Sequence, residues 1–285
     1  MKISRRKRNI ILSVVLCAIL AVWTVWGNTA LMVNTVSISS SRIPAAFSGF
    51  RIAQVSDLHN AEFRKNNADL LKLLSESRPD IIVITGDLID ARRTDVGIAL
   101  CFAQESVRIA PTYYVTGNHE AASLQYDTLK ARLEVAGVIV LEDETVYLDR
   151  DGETMALLGL TAPDFTVKGD MFGEVPAMVS TKLRNLLDDE CGYTILLSHR
   201  PELFETYVDG GIDLVFSGHA HGGQFRLPII GGLVAPNQGL FPEYDAGLYV
   251  DGSTSMVVSR GIGNSIIPFR FNNRPEIVLV ELNTR

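Results

Sequence analysis

The sequence predicts an α/β domain preceded by one N-terminal transmembrane helix. Three observations predict it. Short apolar, strand-like runs alternate with amphipathic helical stretches from residue 50 onward. All five histidines lie just beyond such runs, beside carboxylates, amides and glycines. A 17-residue run, Ile10 to Trp26, is apolar except for Ser13 and Thr24.

That run spans roughly 26 Å as a helix, against about 30 Å for a bilayer core. Residues 27–33 can lengthen it, and Trp23 and Trp26 sit at its far end, where interfacial aromatic residues collect. Residues 1–9 form a basic flank with five Lys/Arg and no acid. The flank should stay in the cytoplasm, placing the later chain outside as a single-pass membrane protein. The other reading is a secretory signal cleaved near Asn28-Thr29-Ala30, which releases the remainder. Residues 10–33 are thus an anchor or signal, 34–47 a Ser- and Pro-containing tether, and 48–285 the globular domain.

Phe50–Ser56 reads as a strand ending at Asp57. Asn66 can cap a helix whose Leu70, Leu73 and Leu74 share a face, stopped by Pro79. Asp80–Thr85 is a continuous apolar run, as in a strand covered on both faces. Residues 95–108 predict a second helix and Thr112–Thr116 a third strand. A further helix follows Ser123, with Gly137 as its C-cap. Strand-like runs at 146–148 and 155–160 flank Asp151-Gly152, a hairpin signal. A helix over about 179–189 leads to strands at 193–197 and 213–216. Late runs at 248–250, 255–258 and 276–282 read as antiparallel strands.

Beyond residue 40 the chain holds 21 basic against 33 acidic groups, a balance of -12, so bulk attraction for nucleic acid is excluded. Three cysteines are too few for a disulfide framework or a thiolate zinc site. Cys101 and Cys191 are available to pair, and their spacing does not decide whether they do.

The motifs carry the chemistry. Asp57 and His59 stand in D-x-H, where strand periodicity would put both side chains on one side. Gly86-Asp87 lets a carboxylate approach an ion closely. Gly117-Asn118-His119-Glu120 offers an amide oxygen and an imidazole, His199 follows a strand, and His219 and His221 form H-x-H among glycines. Each motif alone is common in turns or packed interiors. Together, in this order and each after a strand, they form an oxygen and imidazole ligand set suited to Mn2+, Zn2+ or Fe2+ rather than Ca2+ or Mg2+. Ligands outside strand ends are where open α/β sheets bind them.

At these residues the chain resembles the calcineurin-like metallophosphoesterases. It is most similar to their bacterial membrane-anchored branch, through G-H-A-H-G-G-Q-F-R-L-P (218–228), S-R-G-I-G-N-S (259–265) and R-F-N-N-R-P-E-I (270–277). The resemblance implies a four-layer α/β/β/α sandwich with a dinuclear metal centre and a bridging hydroxide. It implies that Asp57, His59 and His221 hold one ion, that Asn118, His199 and His219 hold the other, and that Asp87 bridges them. His119 then faces the phosphate as the acid or charge stabiliser, with Glu120 either orienting it or capping a helix.

The expected activity is metal-dependent phosphodiester hydrolysis. The alternatives are pyrophosphate cleavage in a nucleotide-linked glycolipid and a metal-stabilised module that binds an envelope component without turnover. Asn118, Arg200, Arg260 and Arg270 are candidate phosphate contacts, since guanidinium groups suit bidentate binding. The expected partners are a phosphoester substrate, lipid-linked or envelope-derived, and the membrane. The Gly/Pro-rich stretch 222–247 carries Phe225, Ile229, Ile230, Leu240 and Phe241, which suggests an apolar groove or a bilayer contact. Oligomeric state is not encoded in any feature of the sequence.

Overall fold

The computed structural model describes residues 4–167, 173–187 and 192–285. It opens with α1 (Arg5–Thr29), 25 residues, long and apolar enough to cross a membrane by length and composition. Its side chains are exposed almost throughout, so its apolar surface is not covered by the domain.

The next elements, in chain order, are β1 (Met32–Ser40), β2 (Arg51–Val55), α2 (Ala68–Glu76), β3 (Ile81–Thr85), α3 (Val96–Ser106), β4 (Thr112–Val115), α4 (Asn118–Ala121), α5 (Tyr126–Val135) and β5 (Ile139–Val140). Then come β6 (Glu144–Arg150), β7 (Glu153–Gly159), α6 (Glu174–Leu186), β8 (Thr194–Leu197), α7 (Phe204–Asp209) and β9 (Leu214–Ser217). Two small hairpins follow, β10 (Arg226–Leu227) with β11 (Gly231–Gly232) and β12 (Val234–Ala235) with β13 (Gly239–Leu240). The chain ends with β14 (Gly247–Asp251), β15 (Thr254–Val258) and β16 (Glu276–Thr284).

These strands build two six-stranded sheets, in the orders β1-β16-β2-β3-β4-β5 and β14-β15-β9-β8-β7-β6. Ile52, Val83, Val115 and Val280 of the first sheet meet Leu157, Ile195, Phe216 and Val257 of the second in one buried layer. The outer face of the first sheet packs on α2, α3 and α5 through Leu70, Phe102 and Leu129, and that of the second on α6 and α7 through Leu183 and Tyr207. The result is the expected α/β/β/α sandwich. Within it β2, β3, β4 and β5 run parallel, as do β7, β8, β9 and β15, so the ligand-bearing loops leave carboxyl ends of neighbouring strands.

Several local expectations change. Residues 34–47 are not a tether. Residues 32–40 form the edge strand β1, paired in parallel with β16 over nine residues, and Ile43 and Phe47 are buried between the sheets. Interleaved serines disguised a β-branched pattern at Val33, Thr35, Val36 and Ile38. β15 is antiparallel to β14 but parallel to β9, so the late strands are not uniformly antiparallel. α2 begins after Asn67 rather than Asn66. The Asp151-Gly152 turn has positive φ at both residues, 52° and 81°, as a tight hairpin requires. Cys101 is free, and its proposed partner Cys191 lies outside the described residues.

Phe216 is fully buried between the sheets. Phe216→Ala should lower the unfolding free energy by about 3–5 kcal/mol through lost burial and a residual cavity. Urea denaturation checks this, and a change under about 1 kcal/mol would contradict a shared inter-sheet core.

Candidate metal centre

The site forms where loops from both sheets meet. Asp57 and His59 follow β2, Asp87 follows β3, Asn118 and His119 open α4 after β4, His199 follows β8, and His219 and His221 follow β9. Backbone bonds lace the loops together: Asp57 N–H donates to the Gly86 carbonyl and His59 N–H to the Asp87 carbonyl, each at 3.0 Å. The buried Gln54 amide joins the sheets beneath, donating to the Thr85 hydroxyl (2.9 Å) and the Ser217 carbonyl (2.8 Å).

Three possible ligand groups result among the described residues. Asp57, His59 and His221 offer atoms within 4.8 Å of one another, and so do Asp87, His199 and His219; His59 also meets the same limit with Asp90 and His119. The groups abut: Asp87 Oδ2 lies 3.3 Å from His199 Nε2 and 3.5 Å from His59 Nε2. His221 Nε2 is 3.4 Å from Asp57 Oδ1 and 3.1 Å from His59 Nε2, and His219 Nδ1 is 3.1 Å from His199 Nε2. All these side chains are buried.

Strand alternation does not bring Asp57 and His59 together, as the D-x-H spacing suggested. Both have positive φ, 53° and 46°, as do Asp87 (51°), His219 (66°) and His221 (48°). Non-glycine residues rarely adopt this conformation, and its concentration here places backbone strain at the site. Two glycines permit the crowding. A Cβ on Gly117 would meet Asp87 Oδ1 at 2.2 Å, and one on Gly218 would meet Ser56 Oγ at 1.9 Å.

Surrounding groups fix the rings. His199 Nδ1 lies 2.7 Å from the Thr85 carbonyl, which takes its proton and leaves Nε2 facing Asp87. The Asn237 amide lies 2.8 Å from His219 Nε2, so Nδ1 is the ring nitrogen turned to the cluster. His119 stands beside the first group, its ring centroid 4.5 Å from that of His59. Its Nδ1 accepts from Ala91 N–H at 3.0 Å, so in the neutral ring the proton sits on Nε2, which faces Ser265 Oγ at 3.1 Å.

Among the described residues the Glu120 carboxylate makes no hydrogen bond to the His119 ring. That carboxylate accepts from the backbone N–H of Asp87 (2.8 Å), Gly117 (2.7 Å) and Ile89 (3.1 Å), capping α4 and locking two ligand loops. Burial, then the Asp87 charge, pushes its carboxyl up to about 7.

Electrostatics divides the cluster. Burial pushes the Asp87 carboxyl up, but His199 and then His59 outweigh it and hold it well below the usual carboxylate range. Burial pushes His199 down, but Asp87 and then Asp57 raise it to about 10. Burial holds His59 and His219 well below the ordinary imidazole value and lowers His221. Neutral His59, His219 and His221 rings and a His199–Asp87 ion pair therefore share one buried space. The buried Asn118 Oδ1 has no hydrogen-bond partner among the described residues. Clustered buried imidazoles and carboxylates, with an unpartnered amide oxygen on the His119 loop, are a donor set that fits divalent cations.

Of the arginines expected at phosphate, Arg200 and Arg270 are otherwise engaged. Arg200 pairs with Asp164 (2.8 Å) and Glu202 (2.5 Å). Arg270 is fully buried, giving its donors to the Gly263 and Arg260 carbonyls and to Asn264 Oδ1, with Nη2 3.4 Å from His221 Nδ1. It braces loops, and burial pushes its guanidinium down to about 10. Arg260 lies beside Glu276, with Nε 3.6 Å from Oε2. Sequence reasoning missed the roles of Asn237, Ser265 and Gln54; Ser265 closes the S-R-G-I-G-N-S motif, but only folding brings the three to the cluster.

Comparison with known proteins agrees with this geometry. A family model described as calcineurin-like phosphoesterase matches residues 50–223. The uncharacterized metallophosphoesterase YkuE of Bacillus subtilis (strain 168) is 32% identical over 253 residues, 87% of this chain and 84% of its own. Phosphodiesterase YaeI of Escherichia coli (strain K12) is 28% identical over 246 residues, 82% of each chain. A transmembrane protein with metallophosphoesterase domain from Danio rerio is 28% identical over 283 residues, 96% of this chain and 63% of that one.

Glu120→Gln keeps one carbonyl acceptor but turns an NH2 group toward backbone donors. It should destabilise the fold by about 1–3 kcal/mol, read by chemical denaturation, and an unchanged midpoint would contradict the bracing role.

Proposed function

Because this chain belongs to the calcineurin-like phosphoesterase family, whose members hydrolyse phosphoester bonds, we propose that it is a phosphodiesterase working with two divalent cations. The observation that carries the proposal is the pair of buried ligand groups meeting at Asp87. The likeness to a protein named as a phosphodiesterase supports diester over monoester substrates.

In this reading Asp57, His59 and His221 hold one cation, Asn118, His199 and His219 the other, and Asp87 both. Such ions, when bound, acidify a water near neutral pH and neutralise charge on phosphoryl oxygens. Asp87 would offer Oδ2, which faces both His59 and His199, from a loop that Glu120 immobilises, while its Oδ1 accepts from the His119 N–H. Thr85 and Asn237 keep the His199 and His219 rings turned to the cluster. His119 is catalytic: the Ala91 N–H holds its neutral tautomer, so Nε2–H would donate a hydrogen bond that stabilises charge on the departing oxygen. Ser265 keeps that nitrogen aimed while no substrate is bound.

α1 anchors the enzyme in the membrane, with residues 1–9 on the cytoplasmic side and the catalytic domain outside. The catalytic domain then begins with β1 rather than at residue 48.

The test is hydrolysis of mono-, di- and pyrophosphate esters by the full chain with Mn2+, Zn2+ or Fe2+. Diester cleavage should dominate, and cleavage of pyrophosphates alone would overturn the assignment. His119→Ala should retain its metal content while turnover falls roughly 10²–10⁴-fold. Near-normal turnover would remove His119 from the chemistry.

A further inference from the structure

Beside the cluster lies a cavity of about 300 Å³ that no step above uses. His221 forms one wall, and Val234, Ala235, Pro236, Ile266 and Ile267 form most of the rest. A metal-ligand residue thus shares a boundary with an apolar groove, so a molecule with its phosphate at the cluster can extend directly into it.

The loops that build the groove are joined to each other and to the membrane helix. Gln224 Nε2 donates to the carbonyls of Ile267 (3.1 Å) and Phe269 (2.6 Å), and the Phe225 and Phe269 rings stand 5.3 Å apart. At the end of α1, Asn28 grips the Arg270 backbone in both directions. It accepts from the N–H at 2.7 Å and donates to the carbonyl at 2.9 Å. Arg274 donates to the Ala30 and Leu31 carbonyls, each at 2.7 Å, and lies 4.7 Å from the Trp26 ring centroid. The segment carrying Ile266, Ile267 and Phe269 is therefore bonded to the exit of the membrane-crossing helix. Ile229, Ile230, Leu240, Phe241, Ile266 and Phe269 are all exposed around it, Ile229 completely so. Exposed apolar residues in such number mark a binding surface, and the same segment is bonded to α1, a helix long and apolar enough to cross a membrane.

We propose that the groove receives the hydrocarbon chain of an amphiphilic phosphodiester drawn from the membrane, while the phosphate meets the His/Asp cluster. This rests on the phosphodiesterase reading above and adds the substrate class. Wall chemistry selects the chain, because five of the seven lining residues besides His221 offer only hydrocarbon side chains, the other two being Gln224 and Ser265. Attachment of the groove to α1 holds its mouth at the lipid surface, so the substrate need not cross water.

The experiment uses the full chain in phosphatidylcholine nanodiscs, loaded with Mn2+, and a series of 4-nitrophenyl alkyl phosphates from methyl to octyl. The proposal predicts kcat/KM rising about two- to fourfold per methylene until the groove is filled, as each buried methylene leaves water. Ile266→Glu, which brings a charge to the groove, and Val234→Trp, which fills it, should each flatten the series. The slope is a ratio within one variant, so it does not depend on absolute activity. A flat series in the wild-type protein, or an undiminished slope in both variants, overturns the proposal. Should no diester be cleaved, the phosphodiesterase reading falls, and the groove is decided by calorimetric binding of methyl to octyl phosphate. A Kd falling by the same factor per methylene sustains it, and a Kd independent of chain length overturns it.

Discussion

The Asp87 carboxylate, wedged between His59 and His199, is the contact on which the site depends. It lies 3.5 Å from one ring nitrogen and 3.3 Å from the other, with the groups buried. Burying a carboxylate is unfavourable unless opposite charge or hydrogen bonds compensate. The sandwich supplies compensation from both sheets, because parallel strands of each deliver their carboxyl ends to one rim. Glu120 then fixes the Asp87 loop and the Gly117 loop by accepting from the N–H groups of Asp87, Ile89 and Gly117. Two sheets are required, since neither alone carries both ligand groups.

Holding these six Asp and His side chains in one buried space strains the backbone. Five of them have positive φ, and Gly117 and Gly218 are placed where any Cβ would strike Asp87 or Ser56. Strain of this kind persists only when the surroundings over-determine it. Gln54 across the sheets and the loop bonds of Asp57 and His59 provide that constraint. A rigid site of this design suits charge stabilisation without reorganisation during the reaction.

Much of this was legible in the sequence because the ligands are types with few other reasons to recur after strands. Asp57, His59, Asp87, Asn118, His119, His199, His219 and His221 were all singled out, and folding brings the Asp and His residues among them close together. What the sequence hid was context. Serines made β1 look like a linker, although Val36 and Ile38 alternate as a strand requires and Ile43 and Phe47 enter the core. Arginine type alone suggested phosphate contact for Arg270, whereas its burial commits its donors to carbonyls. Asn237 and Ser265 reach the His219 and His119 rings from loops 18 and 146 residues distant in sequence, a relation with no local signature.

The anchor and the site are physically continuous. Asn28 holds the Arg270 backbone, and the Arg270 side chain packs against His221. The membrane helix is thus joined to the shell that supports the cluster. The account as a whole stands on two cations held by one set of side chains. Metal content per chain, measured by mass spectrometry on the purified full-length protein and on His219→Ala, tests it most directly. Two equivalents in the wild-type protein and no more than one in the variant are predicted. A single equivalent in the wild type, or two retained without His219, would contradict it.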